Sequence, residues 1–418
     1  MGKQIIVGGV YNPPSTSTTE YNMVQGGCNW GTEPYAILIV PTDGTFSHLH
    51  VVLGSAPGEE KSLTFTFRLN GDDTSLTATM QDTNNTCTDS THTVSVSAGD
   101  EISLKCVPSG TPTASSYCRW YFIFEPDDGT STIQMGIIAS LGLNGYFLPV
   151  PGYRSTGSTT ESYNHTVSSL SGTVKNLYIS LTVAPGEGKS RTFTFRHNGS
   201  NTSLSATVND DRTIANDTSN SVEITSSSYW SIYHGYSGAG ATTLCRISFV
   251  IDVDTEGESL ICGGIQDYTK TANRSQEYTQ LHRNIMDLYG SQDNRYITIL
   301  NSEEDETVTI KNFRTKINST PNLGNSITFS VITVEEESSA ILSATLSNYE
   351  TDDTDTSEES ISPNDEFTMR YEIAGTLLNG KRGAWGFTAY MAPEQGYKKG
   401  YLNIEYYGAE PVGGPKPP

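Results

Sequence analysis

The sequence predicts an all-β chain built as three tandem antiparallel β-sandwich modules, of jelly-roll or immunoglobulin-like type. Three observations predict it: a segment repeated at a fixed offset, strict two-residue alternation inside that segment, and turn signals at short intervals. The composition agrees. Only 17% of the 418 residues are charged, and Gly and Tyr number 39 and 23, a vocabulary of strands and turns rather than of helices.

The repeat organises everything else. Residues 56–80 recur 128 positions later as residues 184–208, with 18 of 25 positions identical. Its centre reads Thr64-Phe-Thr-Phe-Arg-Leu-Asn-Gly71 in one copy and Thr192-Phe-Thr-Phe-Arg-His-Asn-Gly199 in the other. Alternation puts Phe65 and Phe67, or Phe193 and Phe195, on one face of a half-buried strand. Asn70-Gly71 and Asn198-Gly199 then supply the positive φ of a tight hairpin turn. A third, degenerate copy begins at Ser326-Ile-Thr-Phe-Ser-Val331 and returns through Leu342-Ser-Ala-Thr-Leu346, its turn grown into an acidic loop at Glu335, Glu336 and Glu337.

The flanks repeat as well. Segments 98–106, 228–233 and 364–371 occupy matching places, as do the closing strands 118–124, 245–251 and 385–390. Each closing strand is followed by a turn and another apolar strand, at 133–138, 260–262 and 401–406; by the same rule, residues 4–7 open the first module. The joints fall near Asp128 and Glu256. Modules are therefore expected at 1–129, 130–257 and 258–418, the last with an insertion near 267–296 and a Pro-rich tail. The joints are short, so the modules should abut. One helix is expected, over 276–289, where Tyr278, Leu281, Ile285 and Leu288 fall on a helical stripe.

Charge and cysteine usage narrow the function. The formal net charge is −22, which gives no basic footprint for nucleic acid. The absence of any apolar run long enough to span a bilayer predicts no membrane insertion. The N-terminal apolar stretch is too short for a secretory signal, so release by cell lysis is the expectation. Cys28, Cys87, Cys106, Cys118, Cys245 and Cys262 show no zinc-type spacing. Buried free thiols are expected, with a Cys87–Cys106 disulfide the alternative.

Few motifs carry chemistry. Val183-Ala-Pro-Gly-Glu-Gly-Lys-Ser190 imitates a phosphate-binding loop around Lys189, but its first glycine is missing and a strand follows it. His48-x-His50 on a strand would face a metal together, with no third ligand in view. The acidic runs 352–359 and 303–306 read as solvated loops before calcium sites. Trp30, Tyr35, Trp120, Tyr121, Trp230 and Tyr233 read as core before sugar platforms. Sequons stand at Asn84, Asn164, Asn198, Asn201, Asn216, Asn273 and Asn318. The sequence assigns no catalytic, cofactor-binding or metal-ligating residue.

Residues 184–204, together with Val94-Ser-Val-Ser-Ala-Gly-Asp-Glu-Ile-Ser-Leu-Lys105 and Pro108-Ser-Gly-Thr-Pro-Thr113, resemble repeat modules in structural proteins of environmental tailed phages and related prokaryotic viruses. The resemblance covers the first two modules well and the third poorly. It implies a non-enzymatic virion component: capsid decoration, head fibre or tail-associated protein, contacting capsid or tail proteins and further copies of itself. A glycan- or receptor-binding adhesin is the alternative, and a glycan hydrolase ranks third. Contacts are expected where the modules differ: 12–30, 152–163, 267–296, 335–339 and the tail.

Overall fold

The structure, a computed structural model, describes residues 2–265 apart from Tyr11, Ser155 and Ala239. Beyond these it describes 276–279, 284–285, 297–298, 308–333 apart from Asn322, 340–361, 366–375 and 383–392. Nine strands come first: β1 (Gln4–Val10), β2 (Glu20–Asn22), β3 (Leu38–Ile39), β4 (Gly44–Leu53), β5 (Gly58–Leu69), β6 (Asp72–Asp82), β7 (Thr86–Val96), β8 (Glu101–Ser109) and β9 (Cys118–Pro126). Eleven follow: β10 (Ser131–Leu141), β11 (Tyr146–Leu148), β12 (Gly152–Arg154), β13 (Thr166–Val167), β14 (Gly172–Leu181), β15 (Gly186–His197), β16 (Ser200–Asp210), β17 (Ile214–Asp217), β18 (Val222–Ile224), β19 (Tyr229–Ser237) and β20 (Thr243–Val253). Ten more complete the described set: β21 (Glu258–Ile265), β22 (Gln276–Thr279), β23 (Asn284–Ile285), β24 (Ile297–Thr298), β25 (Val308–Ile317), β26 (Ser326–Thr333), β27 (Ala340–Ser347), β28 (Asp352–Ile361), β29 (Glu366–Ala374) and β30 (Gly383–Met391).

These strands form six sheets that pair into sandwiches, and one strand order recurs. An inner sheet runs β1-β9-β4-β7, then β10-β20-β14-β17, then β21-β30-β25-β28. An outer sheet runs β2-β8-β5-β6, then β11-β19-β15-β16, then β22-β29-β26-β27. First and last strands lie side by side, and each sheet draws strands from both halves of its unit. That is the two-sheet, eight-stranded order of a jelly roll, which decides between the two types expected. Pairing is antiparallel except where β12 and β23 run parallel to β10 and β21.

The local reasons repeat as well. Asn70 and Gly71 have φ of 52° and 82°, and Asn198 and Gly199 have 48° and 80°, the geometry of the tight hairpin turn. His48, Asn176 and Asn312 each have φ 55°, and the pairing register shifts around each of them. One β-bulge therefore sits at the same place in β4, β14 and β25, the corresponding strand of each unit. Phe65, Phe67, Phe193, Phe195 and Phe329 are fully buried. The hydroxyls between them pair across the hairpin on the solvent side: Thr64 with Thr79 at 3.1 Å, Thr192 with Thr207 at 3.0 Å, Thr328 with Thr345 at 2.9 Å.

The one expected helix is replaced by strands. Gln276–Thr279 pairs with β29, as Glu20–Asn22 pairs with β8 and Tyr146–Leu148 with β19. Asn284–Ile285 pairs with β21, and the rest of 276–289 lies outside the described residues. At the described residues, sheet pairing overrides the helical stripe that Gly290 would have ended. Segment 267–296, expected as an insertion, thus carries the counterparts of short strands present in the other two units. Among the described residues there is no α-helix, only single 3₁₀ turns at Glu33–Tyr35 and Glu161–Tyr163.

The three units close on one another in a ring. β3 packs on β10, β14 and β20; β13 packs on β21, β25 and β30; β24 packs on β1 and β9. The opening strands repeat the cycle through hydrogen bonds. The Gln4 amide accepts from Ile133 N at 2.7 Å and donates to Ile133 O at 2.9 Å. Gln134 donates to Leu260 O at 3.5 Å, and Ser259 Oγ accepts from Ile5 N at 3.0 Å. Apolar clusters follow the same order. Ile133, Met135 and Ile137 join the first core, Leu260 and Cys262 the second, and Ile5, Val7, Tyr121 and Ile123 the third. A head-to-tail interface that closes after three units is a pseudo-threefold ring.

Candidate functional site

The arms that build this ring are held by a repeated clamp. Arg68, from the hairpin motif, donates to Glu33 at 2.6 Å, and Ser103 Oγ donates to the same carboxylate at 2.9 Å. In the second unit Arg196 donates to Glu161 at 2.7 Å, and Ser231 Oγ donates at 2.9 Å. Each carboxylate belongs to the 3₁₀ turn that precedes an arm, so the hairpin arginine sets where β3 or β13 leaves its own unit. Arg68 also bonds Asp73 and the Gly71 carbonyl, and Arg196 bonds Asn201 and the Gly199 carbonyl. The third unit has the buried Ile332 where these arginines stand.

A second repeated device closes the open side of each sandwich. Asp89 accepts from Thr77 N at 2.9 Å, Asp217 from Ser205 N at 2.9 Å, and Asp355 from Ser343 N at 2.7 Å. The acceptor lies at the edge of the inner sheet and the donor on the edge strand of the outer one, so one carboxylate spans both. Burial pushes each carboxyl upward, but the donors around it more than offset this. Thr91 and His92, Ser219 and Asn220, and Ser357 add their N–H groups, and each aspartate sits below its ordinary range.

The motifs singled out in the sequence dissolve into this architecture. The Lys189 segment is strand β15, and Gly188 N–H donates to Asp210 at 2.8 Å rather than pointing from a helix end. The bulge at His48 breaks the alternation that would have set it beside His50. His48 bonds Ser47 Oγ at 2.9 Å. His50 bonds Thr88 Oγ1 at 2.7 Å and stacks on Tyr121 at 5.1 Å, and burial pushes its pKa down to about 4. Among the described residues no three His, Cys, Asp or Glu side chains are grouped to hold a metal. All six cysteines are free thiols, Cys87 half-buried and the others buried.

Trp30, Trp120, Tyr121 and Trp230 are buried, while Tyr35 is exposed. Trp120 Nε1 donates to Val24 O at 3.0 Å and Trp230 Nε1 to Val150 O at 3.1 Å, one indole from an inner sheet and one from an outer. Segment 12–30 therefore buries Met23, Val24 and Cys28 as part of the core, not as a free loop. The run 352–359, expected as a solvated loop, is edge strand β28. Asp352 accepts from Arg314 at 2.6 Å and Asp353 accepts from Thr345 N at 2.7 Å, whereas Glu358 and Glu359 are exposed. Segments 303–306 and 335–339, Asn273, the expected strand at 401–406 and the Pro-rich tail lie outside the described residues.

One open cleft stands apart from these structural groups. Thr309, Lys311, Glu358, Glu359, Ser360 and Tyr390 line a cavity of about 470 Å³ on the inner sheet of the third unit. Lys311 Nζ bonds Glu258 at 3.0 Å and lies 5.0 Å from the Tyr390 ring centre. Sequence reading missed this site because its residues come from three distant strands. The one available signal was the alignment of the units, which sets Tyr390 opposite Thr309 where Glu125 faces Thr45 and Asp252 faces Thr173.

No protein-family model matches the chain, and no curated protein matches it. Among solved structures, the chain is similar to one described as the triple jelly roll fold and turret assembly in an archaeal virus. That likeness covers 86% of this chain and 82% of the other, at 8% identity and a TM-score of 0.16. At such a score it carries no argument, and the jelly-roll assignment stands on the strand order.

Proposed function

We propose that this chain is a non-enzymatic structural protein on the surface of a virus particle, serving as capsid decoration, head fibre or tail-associated protein. The observation that supports the reading is the pseudo-threefold ring of jelly rolls, with buried polar bridges across the joints between units. Arg246 reaches Pro34 O at 3.0 Å, and Arg314 reaches Ser228 O at 2.5 Å, each across a joint between units. Jelly rolls recur in capsid and lectin domains, and the sequence resemblance points to the first. The fold by itself does not choose the role. Its neighbours would be capsid or tail proteins and further copies of the chain.

The test is to purify particles from a producing culture on a density gradient and label them with an antibody against the chain. Co-sedimentation with labelling of the particle exterior is the expected result. Recovery only in fractions free of particles would overturn it.

A further inference from the structure

The inner sheets of the three units share one strand order, and beside the cleft the third departs from the other two in a row of paired positions. Across three strands the first unit aligns Ser95, Thr45 and Glu125, and the second Glu223, Thr173 and Asp252. The third aligns Ser360, Thr309 and Tyr390. The central threonine is kept in all three. An aromatic ring has replaced the carboxylate on the closing strand, while the edge strand carries carboxylates near the site, Glu358 and Glu359 here and Glu223 in the second unit. A scaffold repeated three times and changed at an open cavity marks a site.

From this we infer that the cleft binds a neutral saccharide, the terminal unit of a surface glycan. This goes beyond a structural role and does not depend on it. The lining alternates acceptors and donors, as the vicinal hydroxyls of a sugar require: the Glu358 carboxylate, the Thr309 and Ser360 hydroxyls and the Lys311 ammonium. Tyr390 supplies a ring for the apolar C–H face of a pyranose. Lys311, tied to Glu258 and resting against Tyr390, is fixed before the ligand arrives, which lowers the ordering cost of binding. An anionic sugar fits poorly, because the one ammonium is already neutralised and Glu358 and Glu359 would repel it. The volume, about 470 Å³, suits one or two sugar rings.

Saturation-transfer NMR and calorimetry on the full chain test this, with the methyl glycosides of glucose, galactose, mannose and N-acetylglucosamine as probes. At least one should bind with a millimolar Kd. Tyr390→Ala and Glu358→Gln should each weaken that binding by about tenfold or more, close to 1.4 kcal/mol. Thr79→Ala, on the outer sheet of the first unit, should leave it unchanged. Glu358 is exposed, so its variant tests the site even if Tyr390→Ala fails to fold. Lack of transfer to every probe would sink the proposal, as would binding indifferent to both substitutions. Tighter binding of an oligolysine peptide than of any sugar would also sink it, marking the cleft as a seat for basic segments. None of these outcomes touches particle location, so the structural role stands or falls separately.

Discussion

The two sheets of each sandwich live in different surroundings. In the outer sheet β6 and β16 alternate buried and exposed residues, with Leu76, Ala78 and Met80 or Leu204, Ala206 and Val208 pointing inward. In the inner sheet every residue of β1 is buried, and β9, β10 and β20 are buried over most of their length. A sheet covered on both faces reads as a near-continuous apolar run, as Trp120-Tyr-Phe-Ile-Phe124 does. The outer sheet holds the stretch with 18 of 25 identities, because each hairpin meets its own core and water. The inner strands diverge because each must fit a different neighbour. Identity among repeats therefore marks where a unit is self-sufficient, and divergence marks where it is joined.

The largest effect should come from the self-sufficient side. Phe193→Ala removes a fully buried ring from the second core and should cost about 3–5 kcal/mol, read as a shift in urea midpoint. Met135→Ala lies on the joined side, fully buried against the first core although it belongs to β10. It should cost about 2–5 kcal/mol and split one calorimetric transition into separate ones. A cost typical of the surface would break the claim that this sheet is covered on both faces.

Arg196→Ala removes the clamp on the second arm together with the guanidinium's contact over Phe147. Charged hydrogen bonds of this kind contribute about 1.5–3 kcal/mol, and the loss should also raise hydrogen exchange in β13. Acid sharpens the comparison further. Asp89, Asp217 and Asp355 titrate below the ordinary carboxylate value in the folded chain. Their contribution is thus fully present above the unfolded pKa of about 3.9 and is lost as pH falls through the folded values. Asp217→Asn should flatten the acid limb of a stability–pH curve and leave the limb above neutrality unmoved. The smallest effect belongs to Thr79→Ala, whose exposed hydroxyl ladder should change stability by less than about 0.5 kcal/mol.

Much of the fold was legible because it is written in local signals. The Asn-Gly turns and the Phe-Thr alternation gave the outer hairpin in the first two units, and the degenerate third copy followed by alignment. What stayed hidden depends on contacts distant in sequence. The bulge at His48 cannot be read from a run of β-formers, and only alignment with Asn176 and Asn312 reveals it. The stripe through Tyr278 and Leu281 looked helical because a short edge strand leaves little pattern of its own. Run 352–359 looked like a loop because an exposed edge strand can be mostly acidic, and the partners of Asp352 and Asp353, Arg314 and Thr345 N, lie on other strands. The cleft was invisible for a related reason: Lys311, Glu358 and Tyr390 meet only when the sheet assembles.

Among the described residues the chain crosses from one unit to the next at 127–130 and at 254–257. Gly2 sits wedged between those two crossings, where a side chain would meet Gly129 O at 2.6 Å and Gly257 N at 2.9 Å. Nearby, the first and third units meet through β24 on β1 and β9 and through the hydrogen bond from Ile5 N to Ser259 Oγ. Gly2 is thus the pin of a bracelet: a bulkier residue there would pry the units apart while each sandwich kept its own core.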